Sequence, residues 1–411
     1  MKEVCIINYA SRAAIYGIGT YIREYVYCLK NMSCKINLIE LGTDNNSAGC
    51  YIKEEGNVRT IHIPYMPKGI TDRYNKSVCR LLRLYIEDSD NLIFHYHYTQ
   101  SESLLESIKK YFPLSKSLFT IHYLSWSQFL QGNVLLFEKI IRNQENEKIK
   151  KQYQYVIDNY KKEKKILEKF DYVICLSEDT MNLVHNRYQI KQNVWLIPNG
   201  IREKDRKLSN KQKQIFRENQ YLRQEEKILL FAGRIDPIKG IYCFLSCFDN
   251  VLRKYPDCRL VMIGDGNISE AIKKCGKSRS KIIFAGRLDK KIVYQWYQIA
   301  DIALFPSFYE ECSYVGIETM MHGLPVVASD GYSVKNMFHP SVNAMVAKIG
   351  NQKKTKEFET NLANTILELL SSERLRKQLS CGARQMYESQ YTVLKMQEGY
   401  KKLFTSLDNK K

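Results

Sequence analysis

Two periods alternate along this chain, and the alternation starts at the first residues. Short apolar runs rich in β-branched positions read as buried strands. In the first part they fall at residues 2–9, 35–40, 58–63, 92–98, 117–123, 172–176 and 194–197. Stretches of helical spacing separate them, at residues 20–30 and around 72–87, with another between the strands at 92–98 and 117–123. Residues 135–170 hold neither Gly nor Pro and are rich in Lys, Glu, Gln and Tyr, which predicts a long helix or a helix pair. Pro198-Asn199-Gly200 closes this part as a turn.

A charged stretch, residues 201–226, separates this series from a second one. The second has strands at 228–232, 259–263, 281–285, 302–305 and 325–328, with helices between them. Helical segments follow at 358–371, 373–388 and 393–407. Two successive strand–helix series predict an α/β protein of two doubly wound, Rossmann-like domains facing each other across a cleft. The expected organisation is a first domain at 1–200 with a helical insertion at 124–170, and a second domain at 201–385.

Composition agrees with two domains, since 411 residues exceed one core. With 44% hydrophobic and 26% charged residues, the chain can bury a large core. No apolar run reaches the 18 residues a membrane span needs, and the charged first residues lack a signal-peptide core. The 12 cysteines lie singly, without Cys-x-x-Cys or His at metal spacing. That predicts a reducing, cytoplasmic location and no zinc site. The net charge of +19 favours anionic partners: nucleotide diphosphates, anionic lipid or nucleic acid. The basic residues are interspersed with acids, so a solvated basic surface explains them as well as a membrane patch does.

The densest chemistry lies in residues 302–328. A strand ends at Pro306, and a loop and short helix follow, carrying Glu310 and Glu318 with seven residues between them. In an open parallel sheet such a loop lines the ligand crevice. Two carboxylates there accept hydrogen bonds from a polyhydroxylated ligand; the alternative is a solvated pair beside a core helix. Upstream, Gly233-Arg234-Ile235-Asp236-Pro237-Ile238-Lys239-Gly240 sets an Arg and a Lys between a strand and a helix. Fixed cations at that place stabilise a departing anion. Gly264-Asp265-Gly266 is a tight turn that backbone demands alone explain. Gly17-Ile18-Gly19 lies between the first strand and its helix. A dehydrogenase fingerprint there fails, because Ile22 stands where a third Gly is required for close helix–strand packing. Asp88-Ser89-Asp90 reads as a solvated turn rather than a metal site.

The segment 302–328 resembles the signature of the family-4 retaining glycosyltransferases, which have the GT-B fold. The resemblance rests on Glu-x7-Glu between a Pro-Ser strand end and a Gly-x-Pro-Val strand. The Gly-Arg-x-x-x-x-Lys-Gly element and the Pro-Asn-Gly hinge extend it over nearly the whole chain. It implies that Glu310 holds hydroxyls of a donor sugar and Glu318 the ribose of a nucleotide. Arg234 and Lys239 would stabilise the leaving phosphate, and His122 would bond the sugar near the reacting carbon. Gly17, Gly19, Gly266, Arg287, Leu288, Ser313, Tyr314 and Val315 would contact the donor.

The common pattern has Gly at the positions of Glu311 and Ser313, so Glu311 and Tyr314 are expected to crowd or reshape the sugar pocket. The resemblance further implies front-side attack without a protein nucleophile, no cofactor beyond the nucleotide-sugar substrate, and no bound metal. It also implies a last helix, residues 386–411, that crosses back to the first domain. Expected acceptors are a glycan, a lipid-linked glycan or a peptide in surface polysaccharide or glycoconjugate synthesis, with the insertion shaping the acceptor side. An anionic membrane surface at the inner face is a further candidate partner, and nucleic acid is not expected. An epimerase or glucan synthase on the same fold, or a basic nucleic-acid- or membrane-binding scaffold, are the alternatives.

Overall fold

A computed structural model describes residues 1–9, 17–43, 49–64, 71–98 and 102–408. The chain divides into two units. One comprises Met1–Ser125, Gln154–Gly200 and Val393–Lys411, and the other Trp126–Tyr153 and Ile201–Thr392.

The first unit is built on β1 (Glu3–Tyr9), β2 (Lys35–Thr43), β3 (Tyr51–Glu55), β4 (Val58–Pro64), β5 (Leu92–Tyr96), β6 (Lys116–Ile121), β7 (Tyr172–Cys175) and β8 (Val194–Leu196). Their order is β3-β4-β2-β1-β5-β6-β7-β8. Every pair is parallel except β3 with β4. The central strand β1 buries Val4–Ile7 completely, as a strand covered on both faces must. β3 has no counterpart in the hydrophobic pattern, because Lys53, Glu54 and Glu55 are exposed. It forms as an edge strand, turned by Gly56 at φ +61° onto the free side of β4.

The helix Gly17–Asn31 lays Tyr21, Tyr25, Cys28 and Leu29 into the core of this unit. Gly17 and Gly19 therefore belong to its first turn and not to the connection before it. The expected small-residue loop is displaced: the helix starts earlier than the apolar spacing suggested, because Ile18 is buried and extends the inward face. Residues 10–16 of that connection lie outside the described residues. The helix Val393–Asp408 packs in the same unit, with Asn31 donating to Gln397 at 3.3 Å and Lys2 paired with Asp408 at 2.6 Å. The change of unit falls after Thr392, further along than the boundary at 385 read from the sequence.

Residues 135–170 form two helices, Val134–Arg142 and Glu147–Glu168. Asparagines make the break. Asn143 Nδ2 donates to the Lys139 carbonyl at 2.8 Å, and Asn146 Oδ1 accepts from the main-chain N–H of Lys148 at 3.1 Å. Such local bonds compete with the helix ladder. The second helix carries a non-helical residue, Tyr153 (φ −125°, ψ 23°), and the division between units falls there. The insertion is thus not wholly a part of the first half: Trp126–Tyr153 groups with the second unit.

The second unit is built on β9 (Lys227–Ala232), β10 (Cys258–Ile263), β11 (Ile282–Gly286), β12 (Ile302–Phe305), β13 (Val326–Ser329) and β14 (Met345–Ala347). Their order is β11-β10-β9-β12-β13-β14, all parallel. The charged stretch 201–226 is not a bare linker. It holds the helix Asn210–Asn219, started by a capping box between Ser209 and Gln212. Helices Ile241–Lys254 and Lys356–Ser371 pack together in the core of this unit, around Phe244, Phe248, Phe358 and Ile366. All twelve cysteines are free thiols, and ten are buried.

One buried acid makes the first unit pH-sensitive. Glu163 is 4% exposed and accepts from the Ser125 N–H at 3.0 Å and the Tyr188 hydroxyl at 2.5 Å. Burial pushes its carboxyl up to about 7. The folded protein therefore holds this proton more tightly than the unfolded chain does. The resulting stabilisation is full below the ordinary value of 4.5 and is lost as pH rises through about 7. The contribution of Glu163 is read as the stability difference between wild type and Glu163→Gln, which should shrink by up to about 3 kcal/mol between pH 5 and pH 8.

Candidate active site

In the second unit the chain runs outward from β9 through β10 to β11, then returns to place β12 on the other side of β9. The switch of direction between β9 and β12 opens a crevice at their carboxyl ends. The loop after β9 carries Arg234 and Lys239, and the loop after β12 carries Glu310. Gly240 lets the two loops meet. Its φ is +65°, and a Cβ there would stand 1.9 Å from the Pro306 carbonyl oxygen. Phe308 N–H donates to the Ile238 carbonyl at 2.8 Å and completes the contact.

That contact brings Lys239 Nζ to 2.7 Å from Glu310 Oε1. The Glu310 side chain is 9% exposed and that of Lys239 is 23% exposed. A pair this sheltered is attracted more strongly than a surface pair, and each partner offsets the other's lost hydration. Arg234 is half-exposed and paired with Asp236 in the same loop.

Gly266 belongs to the same crevice through its backbone. A Cβ on it would lie 2.2 Å from the Ile235 carbonyl oxygen, so the Gly-x-Gly turn is required by the approach of the β10 loop to the β9 loop. The loop after β11 leaves Arg287 exposed and Leu288 half-buried. Ser313 caps the helix Tyr314–Met321, its hydroxyl accepting from the Gly316 N–H. Val315 lies half-buried in the first turn and Tyr314 is buried. Glu318 sits further along the same helix and is fully buried. Burial raises its carboxyl above the ordinary range, and the ammonium of Lys290 beside it acts in the opposite direction.

Lys290 escaped the sequence reading. It opens the helix Lys290–Ile299, far along the chain from Glu318, and no local motif marks it.

Glu311 lies in the same loop as Glu310. It is 5% exposed and accepts from the Tyr309 hydroxyl. Tyr309 stacks on Tyr332 with centroids 5.1 Å apart at 3°. Trp126 stands edge-on to both rings at 5.4 Å and stacks on Phe137 at 4.7 Å. Gly132 backs onto Phe308 and Tyr309, where a Cβ would come within 2.6 Å. The first part of the insertion therefore braces the loop that carries Glu310.

In the first unit His122 follows β6, and its Nε2 lies 3.1 Å from His97 Nδ1, just beyond β5. His95 Nε2 bonds Thr120 Oγ1 at 2.7 Å. Burial drives His122 down to about 3 and lowers His95 and His97 as well. All three imidazoles are neutral near pH 7, so His122 is a neutral hydrogen-bonding group there and not a cation. The alternation of β5 brought His95 and His97 to one face, but the link from His97 to His122 crosses strands and was not visible in the sequence. Asp88 accepts from the Leu114 N–H at 3.2 Å. Among the described residues no group of His, Cys, Asp and Glu is arranged to hold a metal ion, and no helix is long and apolar enough to cross a membrane.

Comparison with known proteins gives concordant matches. Residues 212–386 match the family described as glycosyl transferases group 1, and residues 15–204 match glycosyltransferase family 4. An uncharacterised glycosyltransferase of Methanocaldococcus jannaschii is 30% identical over 160 residues, which is 38% of this chain and 41% of the relative. The chain thus matches about two-fifths of the length of such curated relatives. Among solved structures, a sucrose-phosphate synthase of Thermosynechococcus elongatus superposes with a TM-score of 0.74 at 19% identity, over 100% of both chains. An Anabaena protein in complex with UDP and glucose superposes with a TM-score of 0.71 at 14% identity, over 99% of this chain and 100% of the other.

The brace makes a stability prediction. Trp126 is 1% exposed, so Trp126→Ala should cost roughly 3–5 kcal/mol in urea unfolding, and Trp126→Phe distinctly less.

Proposed function

We propose that this chain, which belongs to the family-4 glycosyltransferases of GT-B fold, transfers a sugar from a nucleotide-sugar donor to an acceptor with retention at the anomeric carbon. The observation that carries the reading is the Lys239–Glu310 pair at the switch point of the second sheet. A buried acid beside a half-buried cation matches a ligand that offers sugar hydroxyls on one side and phosphate on the other. A structural neighbour crystallised with UDP and glucose supports that class of donor.

In this reading Glu310 accepts from hydroxyls of the donor sugar and orients the ring. Lys239 contributes a point charge to the diphosphate, and Arg234 a planar fork. Their fields act as charge develops on the leaving phosphate, which needs no metal in the site. The leaving phosphate takes the acceptor proton on the face where the acceptor attacks. Glu318 accepts from the ribose, and the loop at Arg287 and Leu288 meets the base. Ser313, Tyr314 and Val315 line the sugar and phosphate side, with Gly266 near the nucleotide. The family resemblance also gives neutral His122 a bond to the sugar, and Gly17 and Gly19 contacts with the donor. The acceptor is a glycan, a lipid-linked glycan or a peptide in polysaccharide or glycoconjugate synthesis. The basic surface suits work at an anionic membrane face in the cytoplasm.

Screening nucleotide sugars by thermal shift identifies the donor, because a ligand that binds only the folded state raises its melting temperature. With that donor, Glu310→Gln should lower kcat/KM on the order of 100-fold to 1,000-fold while the protein stays folded with a lowered melting temperature. Unchanged turnover would remove Glu310 from the site. Release of free sugar and nucleotide at full rate without acceptor would replace transfer by hydrolysis or epimerisation.

A further inference from the structure

Glu318 lies in the helix Tyr314–Met321, whose residues Gly316–Met321 are all buried. Its side chain has no exposed surface. A carboxylate in such a place requires compensation, or it takes up a proton. Three groups of the neighbouring helix Lys290–Ile299 favour its charged form, the ammonium of Lys290, which pairs with it, and the nearby hydroxyls of Tyr294 and Tyr297, while neither carboxylate oxygen is satisfied by a well-formed hydrogen bond. On its own helix His322 Nδ1 meets the Glu318 main-chain carbonyl at 2.8 Å and leaves the carboxylate to those three. Lys290 also lies by the ring of Tyr294, its Nζ 5.6 Å from the centroid.

The two ends of this ion pair differ in exposure. Glu318 is fully buried, whereas the Lys290 side chain is 51% exposed. The ammonium therefore stands on the solvent side of the carboxylate. It also follows directly after the loop of Arg287 and Leu288.

We propose that Lys290 is a donor-site positioning residue that keeps the Glu318 carboxylate free to accept both hydroxyls of a nucleotide ribose. The proposal rests on the ribose role given to Glu318 above. An ionised carboxylate accepts from two hydroxyls at once, whereas a carboxylic acid must itself donate through one oxygen. Loss of Lys290 leaves desolvation opposed only by the two tyrosines, and Glu318 then holds its proton to higher pH.

The test uses Lys290→Met, Lys290→Arg and Lys290→Met/Glu318→Gln, with UDP, GDP and ADP as probes. Calorimetric titration between pH 6 and pH 8.5 gives the ratio of variant to wild-type affinity, in which the diphosphate's own titration cancels. For the nucleotide that binds, Lys290→Met should weaken affinity about tenfold or more at pH 6 and recover much of it by pH 8.5. Lys290→Arg should remain near wild type, and the double variant should lose the pH dependence of the ratio. A ratio of one, or a loss uniform across pH, overturns the role of Lys290, since a general phosphate-attracting charge would act uniformly. Unchanged melting temperatures establish that the variants are folded. The ribose premise is read separately: wild type should prefer the nucleotide over its 2′,3′-dideoxy form. Without that preference the Glu318 assignment fails, and this proposal with it. With the preference and a flat ratio, only Lys290 is excluded.

Discussion

The candidate site of the second unit depends on one steric condition: three loops must touch through their backbones. Gly240 lets the β9 loop reach the Pro306 carbonyl, and Gly266 lets the β10 loop reach Ile235. A side chain at either position would occupy space already held by a carbonyl oxygen. With the loops in contact, Lys239 and Glu310 meet although 71 residues separate them in sequence. The parallel sheet sets the strand ends in place, and the glycines close the remaining gap.

Charge is distributed in a consistent manner over that frame. Each carboxylate of the Glu-x7-Glu pair has a lysine partner from another element, Lys239 for Glu310 and Lys290 for Glu318. In both pairs the acid is the more buried member. Isolated charges so sheltered would be too costly to keep ionised, so the lysines make buried acceptors available. A ligand bearing both hydroxyls and anionic oxygens would exchange with these internal partners without leaving either charge bare. In the first unit the same aim of sheltered polarity is met without charge, by neutral His95, His97 and His122 linked to one another and to Thr120.

Much of the fold was legible because parallel strands covered on both faces appear as uninterrupted apolar runs, as in Val4–Ile7 and Leu229–Leu230. The elements that were not legible bury too little apolar surface to show a period. β3 is a charged edge strand, β14 has three residues, and the helix Asn210–Asn219 has no buried face. The site divides in the same way. Arg234, Lys239, Glu310 and Glu318 stand in spaced local patterns. Lys290 and His97 gain their meaning from neighbours on other elements, which spacing cannot record. The contact made by the insertion was hidden for a related reason: its length and charge mark it as unusual, but only the packing of Trp126 on Tyr309 and Tyr332 reveals that its first part braces the Glu310 loop.

The central claim is that Lys239 and Glu310 jointly recognise the sugar–phosphate end of a nucleotide sugar. The most direct measurement is the calorimetric preference for a nucleotide sugar over its own nucleoside diphosphate, compared between wild type and Glu310→Gln. The account predicts that wild type prefers the sugar-bearing form and that the variant loses this preference while still binding the diphosphate. An equal preference in both proteins, or no affinity of the wild type for any nucleotide sugar, would contradict it.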